Sequence, residues 1–406
     1  MRRLACYGLL LLLPAAARAQ LPPSGTIAIG KVDSVWSATL KETRKVLIYT
    51  PPSYGDAKFL PQRYPVLYLL DGDAHFHSVT GLVQILGTGI NGTFVVPEMI
   101  VVAIPNTDRM RDLTPTHVEK DPTGKVQPAY KTTGGMPNFF RFLTGELIPH
   151  IDSSYRTTPY RVLVGHSLGG IAVIDALYTT PESFSSYIAI DPSLWYDDRL
   201  LLKQAKAFFS KPGLANKTLF VGQANTINAD DTTANVHYGS IVQFNGVLQS
   251  YNKSGLRYGY RYYPDDSHGS VPLIAEYDAL RFIFSRFSVD IVAVMQHPAV
   301  LKEHFAGLSS SFGYAMLPPE SEVNLLGYGM LANDTTKALE FFQMNADLYP
   351  TSYNAWHALG DGWAATGDTK KAIAAYEKSL ALNPKDEKAR DAIVKLNKPG
   401  GAKSPQ

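Results

Sequence analysis

Ser167 lies between two glycines in the segment RVLVGHSLGG, residues 161–170. A serine hydroxyl is a weak nucleophile at neutral pH and needs a base that accepts its proton. A Gly-x-Ser-x-Gly pattern also arises by chance, so the flanking sequence must decide between a nucleophile and a structural turn. A buried strand pattern precedes the serine and a helical pattern follows it, which is typical of a nucleophile elbow. We therefore predict that Ser167 is a catalytic nucleophile.

His268 is the residue that could activate this serine. The segment YGYRYYPDDSHGSVP places it after the last predicted strand. In enzymes with a nucleophile elbow, the catalytic histidine follows the serine in the chain and lies in such a late loop. Its unperturbed pKa lies near neutral pH, so a histidine can take the serine proton and return it to the leaving group. We predict that His268 is the general base; a solvated surface histidine is the alternative.

The backbone N–H of Leu168 can face a developing oxyanion, because it follows the nucleophile at the start of the predicted helix. We predict no metal site, since His75 and His77 are close in sequence but no third ligand is placed near them. We also predict no cofactor, because a nucleotide-binding glycine loop does not follow the first strand.

The elements that must position these residues follow an α/β pattern. Runs that are apolar at nearly every position favour central parallel strands covered on both faces. Helical spacing is found between these runs at 137–155 and 171–184, whereas 107–136 shows no periodicity and is predicted as a long loop. We predict an α/β-hydrolase fold with a mostly parallel central sheet covered by helices. The predicted strands are 45–51, 64–72, 99–106, 161–165, 186–192, 218–223 and 258–264.

Helices alone are predicted beyond about residue 320. The residues from Trp356 to Pro384 fit a tetratricopeptide repeat, and Pro350 lies one period of 34 before Pro384, so two repeats are predicted. The predicted domains are a signal peptide (1–19), a hydrolase domain (20–290), a linker or bridging helix (291–319), tetratricopeptide-like repeats (320–398) and a disordered tail (399–406).

The N-terminal segment has the layout of a secretory signal, with two early arginines, an apolar stretch and a small-x-small site at residues 17–19. Its removal leaves 35 of the 38 basic residues against 36 acidic ones, which argues against nucleic acid or an anionic membrane as a partner. Cys6, the only cysteine, lies in the signal, so the mature chain has no disulfide or thiol nucleophile. We predict an exported protein, periplasmic or secreted, with no membrane span in its mature chain.

Five segments resemble the putative-esterase family of bacterial α/β hydrolases, which includes ferric enterobactin and salmochelin esterases. The resemblance covers about residues 25–290, and members commonly carry a similar C-terminal repeat region. The segments are LYLLDGDAHFHSVTG (67–81), IPNTDRMRDLTPT (104–116), VGHSLGG (164–170), IAIDPSLWYDD (188–198) and DDSHGSVPLIAEYDALRFIF (265–284).

The resemblance implies further site residues. A second oxyanion donor is implied at the backbone N–H of Asp73, next to Gly72. Arg109 and Arg111 map onto an arginine-containing loop whose guanidinium groups could bind the substrate. The alternative for Arg111 is an ion pair with Asp112 that holds the loop. The residues from 192 to Trp195 would form one wall of the pocket, although Trp195 could equally belong to the core.

The residue that orients His268 is left open by the sequence. Relatives often carry an acid just after the seventh strand, whereas this chain has Asn225 near that position. An asparagine can hold one histidine tautomer but cannot stabilise an imidazolium. Asp230 is our first candidate and Asp231 the second. A serine–histidine dyad is a further alternative, in which these two acids belong to a solvated turn.

The function predicted from these residues is an exported serine esterase that acts on a small-molecule ester. Siderophore lactones, aryl esters and acylated carbohydrates are all open as substrates. One alternative is a non-catalytic hydrolase-fold scaffold that binds a protein partner, or a second copy of itself, through its repeats. The other is a serine peptidase.

Overall fold

A single sheet lies at the centre of the protein. In the computed structural model, which describes residues 25–88, 95–121, 124–228, 230 and 232–398, eight strands form this sheet in the order β1-β2-β4-β3-β5-β6-β7-β8. The pairs β1–β2 and β2–β4 are antiparallel, and the other pairs are parallel. The predicted α/β-hydrolase class is confirmed. The strands are Lys31–Ser37 (β1), Glu42–Tyr49 (β2), Tyr64–Leu70 (β3), Ile100–Ile104 (β4), Thr157–His166 (β5), Ser186–Ile190 (β6), Thr218–Ala224 (β7) and Arg257–Tyr263 (β8).

The central strands are buried along their whole length. Every residue of β3, β4, β6 and β7 is buried, because helices cover both faces of the sheet. The edge strand β1 alternates between exposed and buried residues at its C-terminal half, and Trp36 is 65% exposed. The absence of a continuous apolar run explains why β1 was missing from the predicted strands.

Helices surround the sheet and continue beyond it. A π-helical turn, Leu143–Leu147, joins α3 to α4, so that the predicted helix over 137–155 is one nearly continuous run. The helices are Gly72–Thr88 (α1), Arg109–Asp112 (α2), Met136–Phe142 (α3), Ile148–Ser154 (α4), Leu168–Thr179 (α5), Tyr196–Phe209 (α6), Thr232–Tyr251 (α7), Val271–Ile283 (α8), Ile291–Gln296 (α9), Ala299–Phe312 (α10), Glu320–Leu331 (α11), Thr335–Leu348 (α12), Tyr353–Ala365 (α13), Thr369–Leu382 (α14) and Glu387–Leu396 (α15).

The C-terminal helices share a core with the hydrolase domain. One apolar cluster extends from α1 and α8, across α10, to α11, α12 and α13. On α10, Phe305 packs edge-to-face against Phe287, and the ring of Phe312 lies 5.2 Å from that of Tyr160 in β5 between centroids. The backbone N–H of Leu60 also donates to the carboxylate of Glu320 at 2.8 Å. The repeat helices are therefore docked on the hydrolase domain of the same chain.

Two predictions at the chain ends concern residues that lie outside the described ranges. These are the signal peptide at 1–19 and the disordered tail at 399–406. Within the described part of the chain, every helix is too short or too polar to cross a membrane.

Candidate active site

Ser167 occupies the turn between β5 and α5 in a strained conformation. Its φ of 60° and ψ of −114° are unfavourable for a residue with a side chain. Backbone hydrogen bonds on both sides maintain this conformation: Ser167 N–H donates to the carbonyl of Ile190 at 2.9 Å, and Ser193 N–H donates to the carbonyl of Ser167 at 3.0 Å. A Cβ on Gly165 would overlap the backbone of Gly169, so the turn requires glycine there. These features are those of a nucleophile elbow.

His268 lies in the loop between β8 and α8, within reach of the serine. Its Nε2 is 3.1 Å from Oγ of Ser167, which is hydrogen-bond distance for proton transfer. The loop is held by Ser270, whose Oγ accepts from Ser267 N–H at 2.9 Å. The His268 side chain is 43% exposed, so an incoming substrate can reach it.

Asp191 completes the chain of hydrogen bonds. It directly follows β6, its side chain is fully buried, and its Oδ2 lies 2.6 Å from Nδ1 of His268. Its Oδ1 accepts from the backbone N–H of Ala224 at 3.0 Å. Burial by itself would raise the pKa of Asp191, but hydrogen bonds from His237, His268 and Ala224 outweigh it and hold this pKa well below its usual range. An ionised carboxylate therefore faces the ring that would become an imidazolium.

Asn225 has a different role from the one considered for it. Its side-chain amide donates to the carbonyl of Pro264 at 3.0 Å, and its backbone N–H donates to the carbonyl of Asp266 at 2.9 Å. Asn225 thus fastens the loop that carries His268, whereas Nδ1 of that histidine is bonded to Asp191.

Asp230 also has to be replaced as the candidate for the orienting acid. It is exposed, and its backbone N–H donates to Oδ1 of Asn228 within the same turn. Asp231 lies outside the described residues. Asp191, rather than an acid after β7, reaches His268 because of the strand order. Strand β6 is the direct neighbour of β5, so the residue after β6 lies closer to Ser167 than residues after β7. An aspartate that directly follows the apolar run SYIAI was the signal that could have identified Asp191.

The two predicted oxyanion donors lie in the first turns of adjacent helices. Leu168 begins α5, and Asp73 is the second residue of α1, after Gly72. The two helices start at the ends of the paired strands β3 and β5, and a Cβ on Gly169 would lie 3.1 Å from Oδ2 of Asp71. The N-termini of both helices therefore meet beside the elbow, where partial positive charge favours an anion.

Arg109 forms a bidentate ion pair with Asp71. Its Nε lies 2.7 Å from Oδ1 and its Nη2 lies 2.9 Å from Oδ2 of this buried carboxylate. Nη2 also donates to the carbonyl of His166, the residue before Ser167, at 3.3 Å. Arg109 thus connects the end of β3 to the elbow, and its guanidinium charge is balanced within the protein.

Arg111 lies in a second ion-pair network. Its Nη2 is 2.7 Å from Glu42, and its Nε is 2.7 Å from Asp112. The hydrogen bond from Arg111 outweighs partial burial and lowers the pKa of Glu42 to about 2. This geometry is that of the alternative interpretation, in which Arg111 holds its loop.

Trp195 is partly buried and borders a groove of about 400 Å³. The groove is also lined by Val118, Tyr130 and Val236, from the 107–136 loop and from α7. Trp195 also lies two residues after Ser193, whose Oγ is 3.2 Å from Oγ of Ser167. Trp195 therefore contributes both to a pocket wall and to the packing beneath it.

Three further histidines surround the site, and none was predicted there. His166 lies 4.5 Å from His268 between ring centroids, and His75 lies 5.9 Å from His166. Burial and the positive charges of His268 and His75 lower the pKa of His166 to about 4, so its ring is neutral at pH 7. Nε2 of His237 donates to Oδ2 of Asp191 at 2.9 Å, because an ionised carboxylate can only accept. His77, considered together with His75 in the sequence, is exposed.

Comparisons with known proteins match both the sheet-containing region and the repeat region of the chain. A family model described as "Putative esterase" matches residues 37–236, and one described as "Tetratricopeptide repeat" matches 353–386. An IroE-like serine hydrolase from Shewanella oneidensis, known as a crystal structure, is 34% identical with a TM-score of 0.69; the match covers 79% of this chain and 98% of that one.

Curated relatives include two siderophore esterases. The ferri-bacillibactin esterase BesA of Bacillus subtilis is 37% identical over 158 residues, which are 37% of this chain and 55% of that protein. The siderophore enterobactin esterase of Emericella nidulans is 32% identical over 168 residues, which are 36% of this chain and 52% of that protein. The chain thus spans about half the length of the curated relatives it matches.

Proposed function

Because the chain belongs to the putative-esterase family of α/β hydrolases, we propose that it is a serine esterase that forms an acyl-enzyme on Ser167. The observation that carries this proposal is the unbroken chain of hydrogen bonds from Ser167 Oγ through His268 to Asp191, with distances of 3.1 and 2.6 Å. This constellation performs acyl transfer on several unrelated folds, which is why geometry rather than fold supports the assignment.

In the first half-reaction, Oγ of Ser167 attacks the ester carbonyl while its proton moves to Nε2 of His268. The carbonyl oxygen becomes an oxyanion, which the N–H groups of Leu168 and Asp73 stabilise. Asp191 keeps Nδ1 protonated and stabilises the imidazolium. Collapse of the tetrahedral intermediate breaks the ester C–O bond, and Nε2 delivers the proton to the departing alcohol.

In the second half-reaction, water replaces the alcohol. Nε2 of His268 takes a proton from this water, whose oxygen attacks the acyl carbonyl bound to Ser167. The same two N–H groups hold the second oxyanion. Cleavage of the acyl–serine bond releases a carboxylic acid, and the proton on Nε2 returns to Oγ.

The groove beside Trp195 favours esters with an aromatic acyl or alcohol part. Trp195, Tyr130 and Val118 provide apolar and aromatic contact area. The charged part of the lining has both signs, with Lys120 and Arg199 beside Asp121, Asp197 and Asp198. Lactones of catecholate siderophores are one kind of ester that carries aromatic rings near the ester bond, and the names of the curated relatives point to this class. Simple aryl esters are the second kind, and acylated carbohydrates fit the groove less well.

Export is the remaining part of the proposal, and it rests on the sequence of residues 1–19 alone. Cleavage after Ala19 would give a mature protein that starts at Gln20. Mass measurement of the protein recovered from a periplasmic or extracellular fraction tests this cleavage directly.

The experiment that tests the function is a hydrolysis panel. It compares p-nitrophenyl butyrate, a feruloyl ester, an acetylated sugar, a catecholate trilactone and a peptide amide. We expect turnover of the esters, fastest for the aromatic ones, and none of the amide. Ser167→Ala should lose turnover by a factor of about 10³ or more, whereas Ser310→Ala on the exposed face of α10 is the matched control. A panel that the wild type does not hydrolyse would favour the scaffold alternative.

A further inference from the structure

We propose that Asp191, His237 and His268 form a binding site for a transition-metal cation of the Zn²⁺ type, and that the bound cation blocks hydrolysis. Oδ2 of Asp191 lies 2.9 Å from Nε2 of His237 and 2.6 Å from Nδ1 of His268. One ligand atom from each of the three residues lies within 4.8 Å of the other two. The inhibition rests on the proposed function, whereas the binding does not.

His237 is the feature that a serine hydrolase mechanism does not explain. One histidine on the aspartate is sufficient for a serine hydrolase, and here a second imidazole is directed at the same carboxylate oxygen. The His237 and His268 rings stand at 90° to each other with centroids 5.2 Å apart, so their nitrogens approach this oxygen from different directions. Two imidazole nitrogens and one carboxylate oxygen, with a water as fourth ligand, form a common zinc donor set.

The distances require only a small adjustment for a metal ion. Ligands at about 2.0–2.2 Å in a tetrahedral site lie about 3.3 Å from one another. Oδ2 would therefore separate from each nitrogen by roughly 0.5 Å, while the two nitrogens, which lie within 4.8 Å of each other, would settle at the same spacing. The ion would take the place of the two hydrogen-bonding protons. Such a shift is accessible to His268, whose side chain is 43% exposed. Oδ1 of Asp191 stays held by the N–H of Ala224, which is the type of outer contact that orients metal ligands.

The donor set selects the class of cation. Imidazole nitrogen suits Zn²⁺, Cu²⁺, Ni²⁺ and Co²⁺, whereas Mg²⁺ and Ca²⁺ prefer a shell of oxygens. The fully buried carboxylate supplies a negative charge at the site. His268 lies on the open side, which leaves a route for the ion and for a bound water.

The chemistry of the imidazole ring explains why the cation would inhibit. A neutral ring carries one proton and one lone pair. When Nδ1 of His268 gives its lone pair to the metal, the proton of the ring resides on Nε2. Nε2 then donates a hydrogen bond and cannot accept the proton of Ser167, so the nucleophile loses its base. His237 likewise keeps one proton, on its other nitrogen, and the exchange of ligands needs no oxidant or reductant.

Binding is measured on full-length Ser167→Ala, which retains all three ligands but cannot turn over. Zn²⁺ titrated in a calorimeter should bind at one ion per chain, and Co²⁺ should give the visible absorption bands of a tetrahedral site. Adding His237→Gln or Asp191→Asn should weaken the affinity by about 10–100-fold. Adding His77→Ala, an exposed histidine outside the cluster, should leave it unchanged. Affinity that is unchanged by both cluster substitutions, or the absence of binding, overturns the proposal.

Inhibition is measured on the active protein with p-nitrophenyl butyrate. Zn²⁺ should reduce turnover, EDTA should restore it, and Mg²⁺ should have no effect. The ratio of activity with and without Zn²⁺ is compared for wild type, His77→Ala and His237→Gln, so that the basal activity of each variant cancels. Only His237→Gln should lose sensitivity, and equal sensitivity in all three contradicts the proposal. A wild type that hydrolyses no ester contradicts the proposed function instead, and the binding titration still decides the metal site.

Discussion

Asp191 and His268 are 77 residues apart in the chain, yet Oδ2 of the aspartate lies 2.6 Å from Nδ1 of the histidine. The contact arises because β6 is the direct neighbour of β5 in the sheet, so that the residue after β6 lies beside the elbow after β5. The same aspartate has its second oxygen fixed by a backbone N–H. It is therefore a rigid acceptor that determines the orientation of the imidazole.

Asp191→Asn should lower kcat by about 10⁴-fold, since an amide at this position stabilises the wrong tautomer and cannot balance an imidazolium. Asp230→Asn is the matched control at an exposed aspartate and should change kcat by less than about tenfold. Steady-state kinetics with one aryl ester measures both. A loss of the larger size at Asp230, with Asp191→Asn active, would contradict the assignment.

Arg109→Ala should lower both the melting temperature and kcat, because it leaves the buried Asp71 carboxylate without its cation. Removal of one partner from a buried pair costs about 3–5 kcal/mol, and less at a site that is partly exposed as this one is. Thermal melting and kinetics on the same preparation separate a structural role of Arg109 from a role in substrate binding. A higher KM with an unchanged melting temperature would show instead that Arg109 binds the substrate.

Glu322 should make the free energy of unfolding depend on pH. It lines, with Glu98, a cavity of about 470 Å³ between the sheet and the repeat helices. Burial, with the charge of Glu98, raises the pKa of Glu322 to about 8 from an ordinary 4.5. The unfolded chain releases this proton near pH 4.5 and the folded chain near pH 8. The contribution of Glu322 to the free energy of unfolding is thus most favourable below pH 4.5 and falls as the pH rises toward 8.

Glu322→Gln, which is neutral at every pH, should therefore melt higher than the wild type at pH 8.5, with a smaller difference at pH 5. We expect several degrees, since 1 kcal/mol corresponds to about 2–4 °C in a domain of 150–250 residues. Glu303→Gln, at an exposed position on α10, is the control and should give the same small difference at both pH values. A difference for Glu322→Gln that does not grow with pH would show that this carboxyl is not destabilising when ionised.

The shared core predicts that the hydrolase domain depends on the helices that follow it. A protein that ends at residue 290 should melt earlier or aggregate, because it exposes Phe284 and Phe287, which contact α10. Its soluble fraction should retain esterase activity, since Ser167, Asp191 and His268 all precede the cut. Phe305→Ala tests the same interface in the full chain and should cost about 3–5 kcal/mol. Equal stability of the shortened and full-length proteins would show that the repeats are a separate module.

Features that depend on local sequence could be predicted, whereas features created by long-range contacts could not. The apolar runs marked seven strands, and the glycines around Ser167 marked the elbow, because each signal is complete within about ten residues. Asp191 was missed because its role depends on strand order, which is not visible in a single segment. The partner of Arg109 was missed for the same reason: Asp71 is 38 residues away and meets it only when β3 and β4 pair.

The central claim is that Ser167 is a nucleophile activated by His268, and the covalent adduct with a fluorophosphonate tests it most directly. Intact-mass measurement should show one adduct per chain, peptide mapping should place it on Ser167, and Ser167→Ala should remain unlabelled. His268→Ala should react at least about 10²-fold more slowly, since it lacks the base. Stoichiometric labelling of Ser167→Ala, or a wild type that remains unlabelled, would contradict the account.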